Sequence, residues 1–103
     1  MGIENGNKRL MQTVKIKTEL SEEEFTQIAQ DRAPMFDGVE GIIQHYYIKL
    51  NEQGEYGGVY IWESWDALEE FRRSNLAAMM PIDYKLLEPP TYEIVEVLFR
   101  LKD

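Results

Sequence analysis

A short segment near the middle of the chain contains residue types that could do acid–base chemistry. His45 is the only histidine, and Tyr46 and Tyr47 follow it directly. A neutral imidazole near pH 7 is a competent general base for an acidic phenol or an activated C–H bond. Residues two apart on a strand share a face, so His45 and Tyr47 could form one polar cluster while Tyr46 faces the other way. The alternative for His45 is a surface or interface histidine that a hydrogen bond satisfies.

A second group of candidates lies in the next apolar segment, where Tyr60 and Trp62 are also two residues apart. Such a pair could stack on an aromatic substrate, and the indole N–H could donate a hydrogen bond to a developing oxyanion. The alternative is ordinary filling of the core. The sequence thus nominates Trp62 as a catalytic candidate beside His45 and Tyr47, and Tyr60 as a substrate-binding residue.

Three further residues are candidates for the lining of a pocket. Arg32 lies at core-facing spacing on a predicted helix, where it could pair with an acid or anchor an anionic substrate. Snorkelling of its charged end to the surface is the alternative. Phe36 and Met79 lie near predicted helix ends, and an aromatic ring and a flexible thioether there suit either a pocket wall or plain core.

Composition excludes several classes of function. A chain of 103 residues with 44% hydrophobic content predicts one globular domain. Acidic residues outnumber basic ones by 19 to 11, and this charge disfavours nucleic acid and anionic membrane surfaces as partners. The chain has no cysteine, a single histidine and no phosphate-binding loop, so we expect no metal site and no cysteine nucleophile. The chain also lacks an apolar run long enough for a membrane helix or a secretory signal, which predicts a cytoplasmic protein.

The elements that must position these residues follow from apolar periodicity and from start and stop signals. Ser21 and Glu24 form a capping box at the start of the first helix, which should end or kink before Pro34. Ser64 or Asp66 caps the second helix, and Pro81 stops it. The predicted elements are an extension at 1–9, a strand at 10–19, the first helix, strands at 41–50 and 57–64 joined as a hairpin, a second helix at 65–80, and a last strand at 91–101.

The element order βαββαβ predicts one ferredoxin-like α+β domain over residues 10–103. Two right-handed crossovers place strands one and three side by side in a four-stranded antiparallel sheet, flanked by strands four and two. Strands two and four carry apolar residues on both faces, with Ile42, Tyr46 and Ile48 predicted on one face and Ile43 and Tyr47 on the other. Two helices cover only one face, so we predict that the bare face packs against a second subunit.

The segment 56–64 (YGGVYIWES) resembles the monooxygenases of the YdhR type, which belong to the dimeric α+β-barrel superfamily that includes the antibiotic-biosynthesis monooxygenases. The glycine-led strand at 41–47, the acidic loop after it, and the last strand at 92–99 also fit this pattern. The resemblance covers residues 10–101. It implies a homodimer whose sheets face each other, with a pocket between the sheet and the helices of each subunit.

The same resemblance implies an activity. Relatives oxidise electron-rich polycyclic aromatics with O2 and without metal, flavin or haem, because they position and deprotonate a substrate whose carbanion reduces oxygen directly. Trp, Tyr, Asn and His residues have roles in such pockets, which favours His45, Tyr47 and Trp62 here. Haem-degrading cousins use an Asn on strand one and a His on helix two. This chain has neither, so haem degradation is disfavoured.

Three functions therefore compete. The first is a cofactor-independent monooxygenase, or a related isomerase or lyase, that acts on a small aromatic or polyketide-like molecule. The second is a non-catalytic dimeric module of the same fold that binds a small ligand or buffers a stress metabolite. The third is an RNA-recognition domain, which shares the element order. We reject the third because the chain lacks the basic-Gly-aromatic pattern of such a module and carries the wrong charge.

Overall fold

The computed structural model describes residues 8–102 of the chain. The predicted extension 1–9 lies almost wholly outside these residues, so a domain boundary at residue 10 stays a prediction. No helix in the described part of the chain is long and apolar enough to cross a membrane. The elements are β1 (Leu10–Lys17), α1 (Glu22–Arg32), a 3-10 helix (Ala33–Gly38), β2 (Ile42–Lys49), β3 (Glu55–Trp62), α2 (Trp65–Arg72), α3 (Asn75–Asp83) and β4 (Thr91–Glu96).

The four strands form one antiparallel sheet in the order β2-β3-β1-β4. Strands one and three are neighbours, as predicted, and the α+β ferredoxin-like sandwich is confirmed. The alternation of β1 explains its orientation, because Leu10, Val14 and Ile16 are buried under the helices whereas Met11 and Lys15 are exposed on the opposite face. The helices therefore cover one face of the sheet only.

Local sequence signals fix both ends of α1. The Glu24 backbone N–H donates to Ser21 Oγ at 3.1 Å, and the Ser21 N–H donates to Glu24 Oε1 at 2.9 Å, so the predicted capping box is present. The α-helix ends at Arg32, and Pro34 lies in the first turn of the 3-10 helix that continues the chain. The prediction that the helix ends before Pro34 is confirmed.

The hairpin of β2 and β3 is present, but a β-bulge changes the facing of one residue. Ile42 pairs with Trp62 and Gln44 pairs with the adjacent Ile61, so Ile43 is the extra residue. Ile42 consequently packs against Trp62 on the helix-covered face. Its predicted place on the same side as Tyr46 is wrong, because strict alternation does not allow for a bulge.

The single helix predicted at 65–80 is two helices. α2 ends at Arg72, and Ser74 begins α3 by accepting a hydrogen bond from the Ala77 N–H while its hydroxyl donates to the Phe71 carbonyl. The prediction that Pro81 stops the helix is also wrong. Pro81 lies inside α3, which continues to Asp83.

The last strand is shorter than the predicted 91–101. β4 ends at Glu96. The next residue, Val97, still donates its backbone N–H to the Arg9 carbonyl at 2.9 Å. Beyond it Leu98 and Phe99 are 82% and 78% exposed, so the alternation that continues through these residues has no neighbouring strand to pair with.

The core lies between the sheet and the helices in two clusters. Phe25 and Ala29 of α1 pack on Val14 and Ile16, and Leu68 of α2 packs on the other end of the sheet. The opposite face of the sheet, called the open face below, has no helix over it. The strand register places on the open face Met11, Thr13, Lys15 and Lys17 of β1, Gln44, Tyr46 and Ile48 of β2, Gly57, Val59 and Ile61 of β3, and Thr91, Glu93 and Val95 of β4.

Candidate active site

A narrow cavity of about 30 Å³ lies between the sheet and the helices. We call it the inner cavity. Its floor includes Gly57 and Gly58 of β3, and a Cβ atom added at Gly58 would lie 3.0 Å from His45 Nε2. The absence of a side chain at Gly58 therefore makes room for the imidazole. The inner cavity is lined by Val14, Ile16, Phe25, Arg32, Phe36, His45, Tyr47, Gly57, Gly58, Tyr60, Met80 and Tyr84.

Aromatic rings hold His45 on three sides. Its ring centroid lies 3.8 Å from that of Tyr60 and 4.2 Å from that of Tyr47, and Phe36 meets it edge-on at 5.2 Å. The strand register produces this cluster, because His45 pairs with Tyr60 and Tyr47 pairs with Gly58. Neither His45 ring nitrogen has a hydrogen-bond partner among residues 8–102, so both nitrogens are available to a ligand.

The surroundings keep this imidazole neutral. Burial, and then the positive charge of Arg32, lower the pKa of His45 from its ordinary 6.5 to about 4. At neutral pH the ring is therefore in the form that can accept a proton. Any imidazolium that forms would be unstable unless an anion lay beside it.

Arg32 supplies a fixed positive charge in the wall of the cavity. The residue is only 5% exposed, and its Nη1 forms an ion pair of 2.6 Å with Asp83 while Nη2 donates to the Leu76 carbonyl at 3.0 Å. The guanidinium carbon also lies 5.5 Å from the ring centre of Tyr84. Two neighbours hold the guanidinium, so its charge does not swing out to solvent. Of the possibilities that the sequence leaves for Arg32, pairing with an acid is present and snorkelling to the surface is wrong.

Three phenols line the same cavity and stay protonated. Burial raises the pKa of Tyr60 and of Tyr47, and it raises the pKa of Tyr84 to about 12. A protonated phenol donates a hydrogen bond. The inner cavity therefore combines one neutral base, one buried cation and several O–H donors in aromatic surroundings, which is an arrangement that can stabilise an enolate or phenolate oxygen.

Trp62 does not reach the inner cavity. It is fully buried at the other end of the sheet with Leu10 and Leu68, and its indole N–H donates to Gln12 Oε1 at 2.9 Å. Trp62 does stack on Tyr60, with ring centroids 5.6 Å apart and planes inclined by 8°, so the predicted shared face is real. Its indole N–H is nevertheless occupied, and the expected donation to a substrate oxyanion has no geometric basis here.

The other predicted site residues also divide into those that line the inner cavity and one that does not. Phe36, Tyr47 and Tyr60 line the inner cavity together with His45 and Arg32. Met79 does not, because it points outward on α3 and is 38% exposed, while the next residue, Met80, lines the cavity. Met80 faces the cavity because α3 begins as a new helix at Ser74 and does not continue the helix that Ser64 caps. The sequence-based prediction contains no helix start at Ser74.

A larger cavity of about 210 Å³, the outer cavity, adjoins the first. The two cavities share Val14, Arg32, Tyr60 and Met80, so a ligand could extend through both. The outer cavity is lined by Gln12, Val14, Arg32, Tyr60, Phe71, Arg72, Ala77, Ala78, Met80 and Tyr92.

Sequence reasoning missed several of these lining residues. Gln12 carried a usable signal, because its parity in β1 matches that of Leu10 and Val14 and makes it a polar residue on a buried face. Tyr84 follows α3 and carried no periodic signal. Its position depends on Thr18, whose hydroxyl donates to the Tyr84 carbonyl at 2.8 Å across the fold.

No three His, Cys, Asp or Glu side chains within residues 8–102 converge in a way that could hold a metal ion. The inner cavity offers one imidazole and no carboxylate among its lining residues. Its donors and aromatic walls suit an organic ligand that carries an oxygen atom.

Comparison with known proteins relates the fold to solved structures. No family model matches the chain, and no curated protein matches its sequence. A protein of unknown function from Nitrosomonas europaea is 17% identical with a TM-score of 0.75, covering 95% of this chain and 97% of its own. A candidate antibiotic biosynthesis monooxygenase from Caulobacter crescentus is 15% identical with a TM-score of 0.75, covering 92% and 94%.

SnoaB, a cofactor-independent oxygenase from Streptomyces nogalater, is 12% identical with a TM-score of 0.73, covering 93% of this chain and 99% of its own. The structural neighbours thus include proteins with the fold of antibiotic biosynthesis monooxygenases. At these identities the likeness concerns the fold alone.

Proposed function

We propose that this protein is a cofactor-independent monooxygenase that acts with O2 on a small electron-rich aromatic or polyketide-like substrate. The observation that carries the proposal is the neutral imidazole of His45, held against Tyr60 in an aromatic cavity beside the buried cation of Arg32. The fold shared with a cofactor-independent oxygenase supports it. Membership of the YdhR-type branch is part of the same proposal.

Proton removal is the step that the cavity can promote. A ring nitrogen of His45 takes the proton from an activated C–H bond of the substrate, and the electron pair spreads onto a conjugated oxygen. Arg32 and the phenols of Tyr47 and Tyr60 stabilise that oxygen. The imidazolium is stabilised in turn by the anion beside it, which offsets the lowered pKa of His45.

Oxygen then accepts the electrons of the carbanion. One electron passes to O2, and the resulting superoxide and substrate radical combine into a peroxide that takes up the proton. Loss of water from the hydroperoxide, with removal of the second hydrogen from the same carbon, leaves a ketone. A CH2 group and O2 thus give C=O and H2O, and the balance closes without an external reductant.

The size and the walls of the joined cavities favour an aromatic substrate. Phe36, Tyr60 and Phe71 offer ring surfaces, and Phe71 lies 5.8 Å from Phe36 and 5.9 Å from Tyr60 between centroids. The outer cavity, at about 210 Å³, is larger than the ~150 Å³ cavity that accommodates benzene in a protein core. The narrower inner cavity suits the reacting carbon and its oxygen rather than the whole ring system.

A second copy of the chain is the proposed partner, bound through the open face. Tyr46 and Val95 on this face are 55% and 48% exposed, and Leu98 and Phe99 beyond β4 are exposed further. Contiguous apolar surface of this kind is what soluble monomers avoid. A two-fold pairing buries the same patch on both copies and leaves the cavities on the covered side of each sheet.

Ligand binding without turnover is the second candidate function. It is favoured by one observation, because a histidine whose pKa lies at about 4 is a weak base for a carbon acid. The two candidates share the cavities and differ only in whether O2 is consumed.

Oxygen uptake with anthrone and with substituted naphthols, in the presence of a chelator, tests the proposal. We expect uptake by the wild type and its loss in His45→Gln, with the folded state of the variant checked by circular dichroism. Because the pKa of His45 lies at about 4, kcat/KM should not fall as the pH drops from about 8 to about 5. Binding of these molecules without uptake at any pH would leave the ligand-binding module as the function.

A further inference from the structure

One buried polar side chain of the outer cavity has a fixed orientation. Gln12 is 4% exposed, and its Oε1 accepts the hydrogen bond of 2.9 Å from the Trp62 indole. An indole nitrogen only donates, so the amide must turn its oxygen towards Trp62 and its amino group the other way. Among residues 8–102 the Nε2 group of Gln12 forms no hydrogen bond, and because no fully buried side-chain nitrogen there lacks a partner, Nε2 must open onto the cavity.

The free amino group belongs to a cavity that contains no acid. Gln12 lines the outer cavity together with Arg32 and Arg72, and neither Asp nor Glu is among the lining residues. Both arginines form ion pairs with acids outside this lining, Arg32 with Asp83 and Arg72 with Glu69, so the lining offers hydrogen-bond donors and adds no carboxylate of its own. A ligand group that accepts hydrogen bonds and carries negative charge fits such a lining.

The two arginines contribute differently. Arg32 has its Nη1 and Nη2 committed to Asp83 and to the Leu76 carbonyl, so it acts on the cavity through its charge. Arg72 is half-exposed at the rim, and only its Nη1 is engaged, with Glu69 at 2.9 Å. The rest of that guanidinium can donate to a ligand.

We propose that the outer cavity binds the carboxylate of an aromatic carboxylic acid, with Gln12 as the specificity-determining donor and Trp62 as its positioning residue. The ring of the acid lies against Tyr60 and Phe71, and Arg72 closes the rim over the carboxylate. The inference rests on the proposed function only in taking the joined cavities as the substrate site, and it names the class of substrate as an aromatic acid.

A carboxylate fits this set of donors better than a phosphate does. One amide N–H2 group and one partly free guanidinium can satisfy two planar oxygens. A phosphate, with three strongly accepting oxygens and a larger charge, would leave oxygens unpaired in an apolar enclosure.

The test compares two probes that differ only in the charged group, 2-naphthoate and 2-naphthamide, by isothermal titration calorimetry on the full chain. We expect naphthoate to bind at least about tenfold more tightly, as a charge-assisted hydrogen bond allows. Gln12→Glu keeps an oxygen for the Trp62 N–H and replaces the donor by an acceptor, so the preference for naphthoate should disappear. Gln12→Leu, which adds no charge, should reduce it as well.

Arg72→Gln should weaken naphthoate binding by roughly fivefold and leave naphthamide unchanged, as for a half-exposed ion pair. Arg73→Gln is the matched control, because Arg73 is an exposed neighbour outside the lining that carries the same charge. Equal affinity of the wild type for the two probes would overturn the inference. A loss of naphthoate affinity in Arg73→Gln as large as that in Arg72→Gln would overturn it as well.

The result of this binding test can be distinguished from the result of the oxygen-uptake test of the proposed function. Selective naphthoate binding without O2 uptake for any substrate would keep the carboxylate site and remove the oxygenase. Uptake of O2 with anthrone, combined with no preference between the probes, would keep the oxygenase and remove the carboxylate site. Near-ultraviolet circular dichroism of each variant shows whether its aromatic core is intact.

Discussion

The imidazole of His45 lies almost flat on the phenol ring of Tyr60, with centroids 3.8 Å apart and planes inclined by 21°. The two residues pair directly across β2 and β3, so the backbone ladder fixes their separation. The candidate general base of the site therefore lies on a rigid sheet rather than on a loop. The protonation of the His45 imidazole is the quantity that several of the following experiments measure.

The first prediction concerns stability against pH. The pKa of His45 is lowered in the folded state, so the unfolded chain binds a proton between 6.5 and about 4 that the folded chain does not. Unfolding free energy attributable to His45 should thus be present above pH 6.5 and be lost as the pH falls to about 4. Because the ring is partly exposed, the loss should reach about 1–3 kcal/mol.

Urea unfolding of the wild type and of His45→Gln at several pH values measures this term. The difference between their unfolding free energies should be flat at high pH and should shrink below 6.5. A difference that does not depend on pH would contradict the lowered pKa. If the unfolding free energies of both proteins decrease in parallel at low pH, the decrease comes from protonation of carboxylates. Subtracting one free energy from the other cancels this contribution.

The second prediction concerns the paired glycines of β3. Gly58→Ala places a methyl group 3.0 Å from His45 Nε2 and 3.3 Å from the Tyr46 carbonyl, so the imidazole must move. We expect loss of ligand binding in the inner cavity at a cost of about 1–2 kcal/mol of stability.

Gly57→Ala is the informative comparison, because its new methyl group meets the Val14 carbonyl oxygen of the neighbouring strand. Backbone cannot give way as a side chain does, so this variant should lose more stability than Gly58→Ala. Urea midpoints rank the two variants. A Gly58 variant that binds ligand normally would show that the His45 ring does not need this space.

The third prediction separates charge from geometry at Arg32. Arg32→Met removes the cation that adds to burial in lowering the pKa of His45, so that pKa should rise towards 6.5. Stability should fall by about 1–3 kcal/mol, because Asp83 and the Leu76 carbonyl lose their partner while Asp83 stays partly solvated.

His45 is the only histidine, so its ring signals in proton NMR can be followed through a pH titration without assignment ambiguity. Arg32→Lys should keep the lowered pKa and still lose stability, because an ammonium cannot reproduce the two-sided contact. Arg73→Met, on the surface, should change neither quantity. If the His45 titration is unaltered in Arg32→Met, burial alone lowers the pKa of His45.

The fourth prediction concerns the open face. Tyr46→Glu puts a carboxylate into the middle of the proposed two-fold interface, where a second copy would bring its own carboxylate close. We expect the dimer to dissociate, as measured by analytical ultracentrifugation. Ile82→Glu, at an α3 position that is 66% exposed and away from this face, is the control and should leave the assembly unchanged. A wild type that sediments as a monomer would remove the proposal.

Particular residues show what the sequence could predict. The capping box at Ser21 and the alternation of β1 are local signals, and both elements begin where these signals place them. The shared face of His45 and Tyr47 followed from parity alone. The same parity failed for Ile42, because a bulge is set by the partner strand and not by the strand's own residues.

The candidate site was only partly predictable for a similar reason. Met80 rather than Met79 lines the cavity because the hydroxyl of Ser74 restarts the helix, and Tyr84 enters it from the segment that follows α3. The residue type and parity of Trp62 predict a substrate contact, yet Gln12 occupies its N–H. A hydrogen bond between side chains fifty residues apart has no local pattern.

The bulge at Ile43 also bears on how the length of this chain can change. Ile42 and His45 lie on the same side of the sheet although they are three residues apart, because Ile43 takes no place in the ladder. Deleting Ile43 would restore plain pairing and leave His45 opposite Tyr60. Deleting Tyr46 would instead shift part of the strand by one place and turn side chains to the wrong side. A deletion in β2 is therefore tolerable at the bulge, where neither Ile43 nor Gln44 lines a cavity.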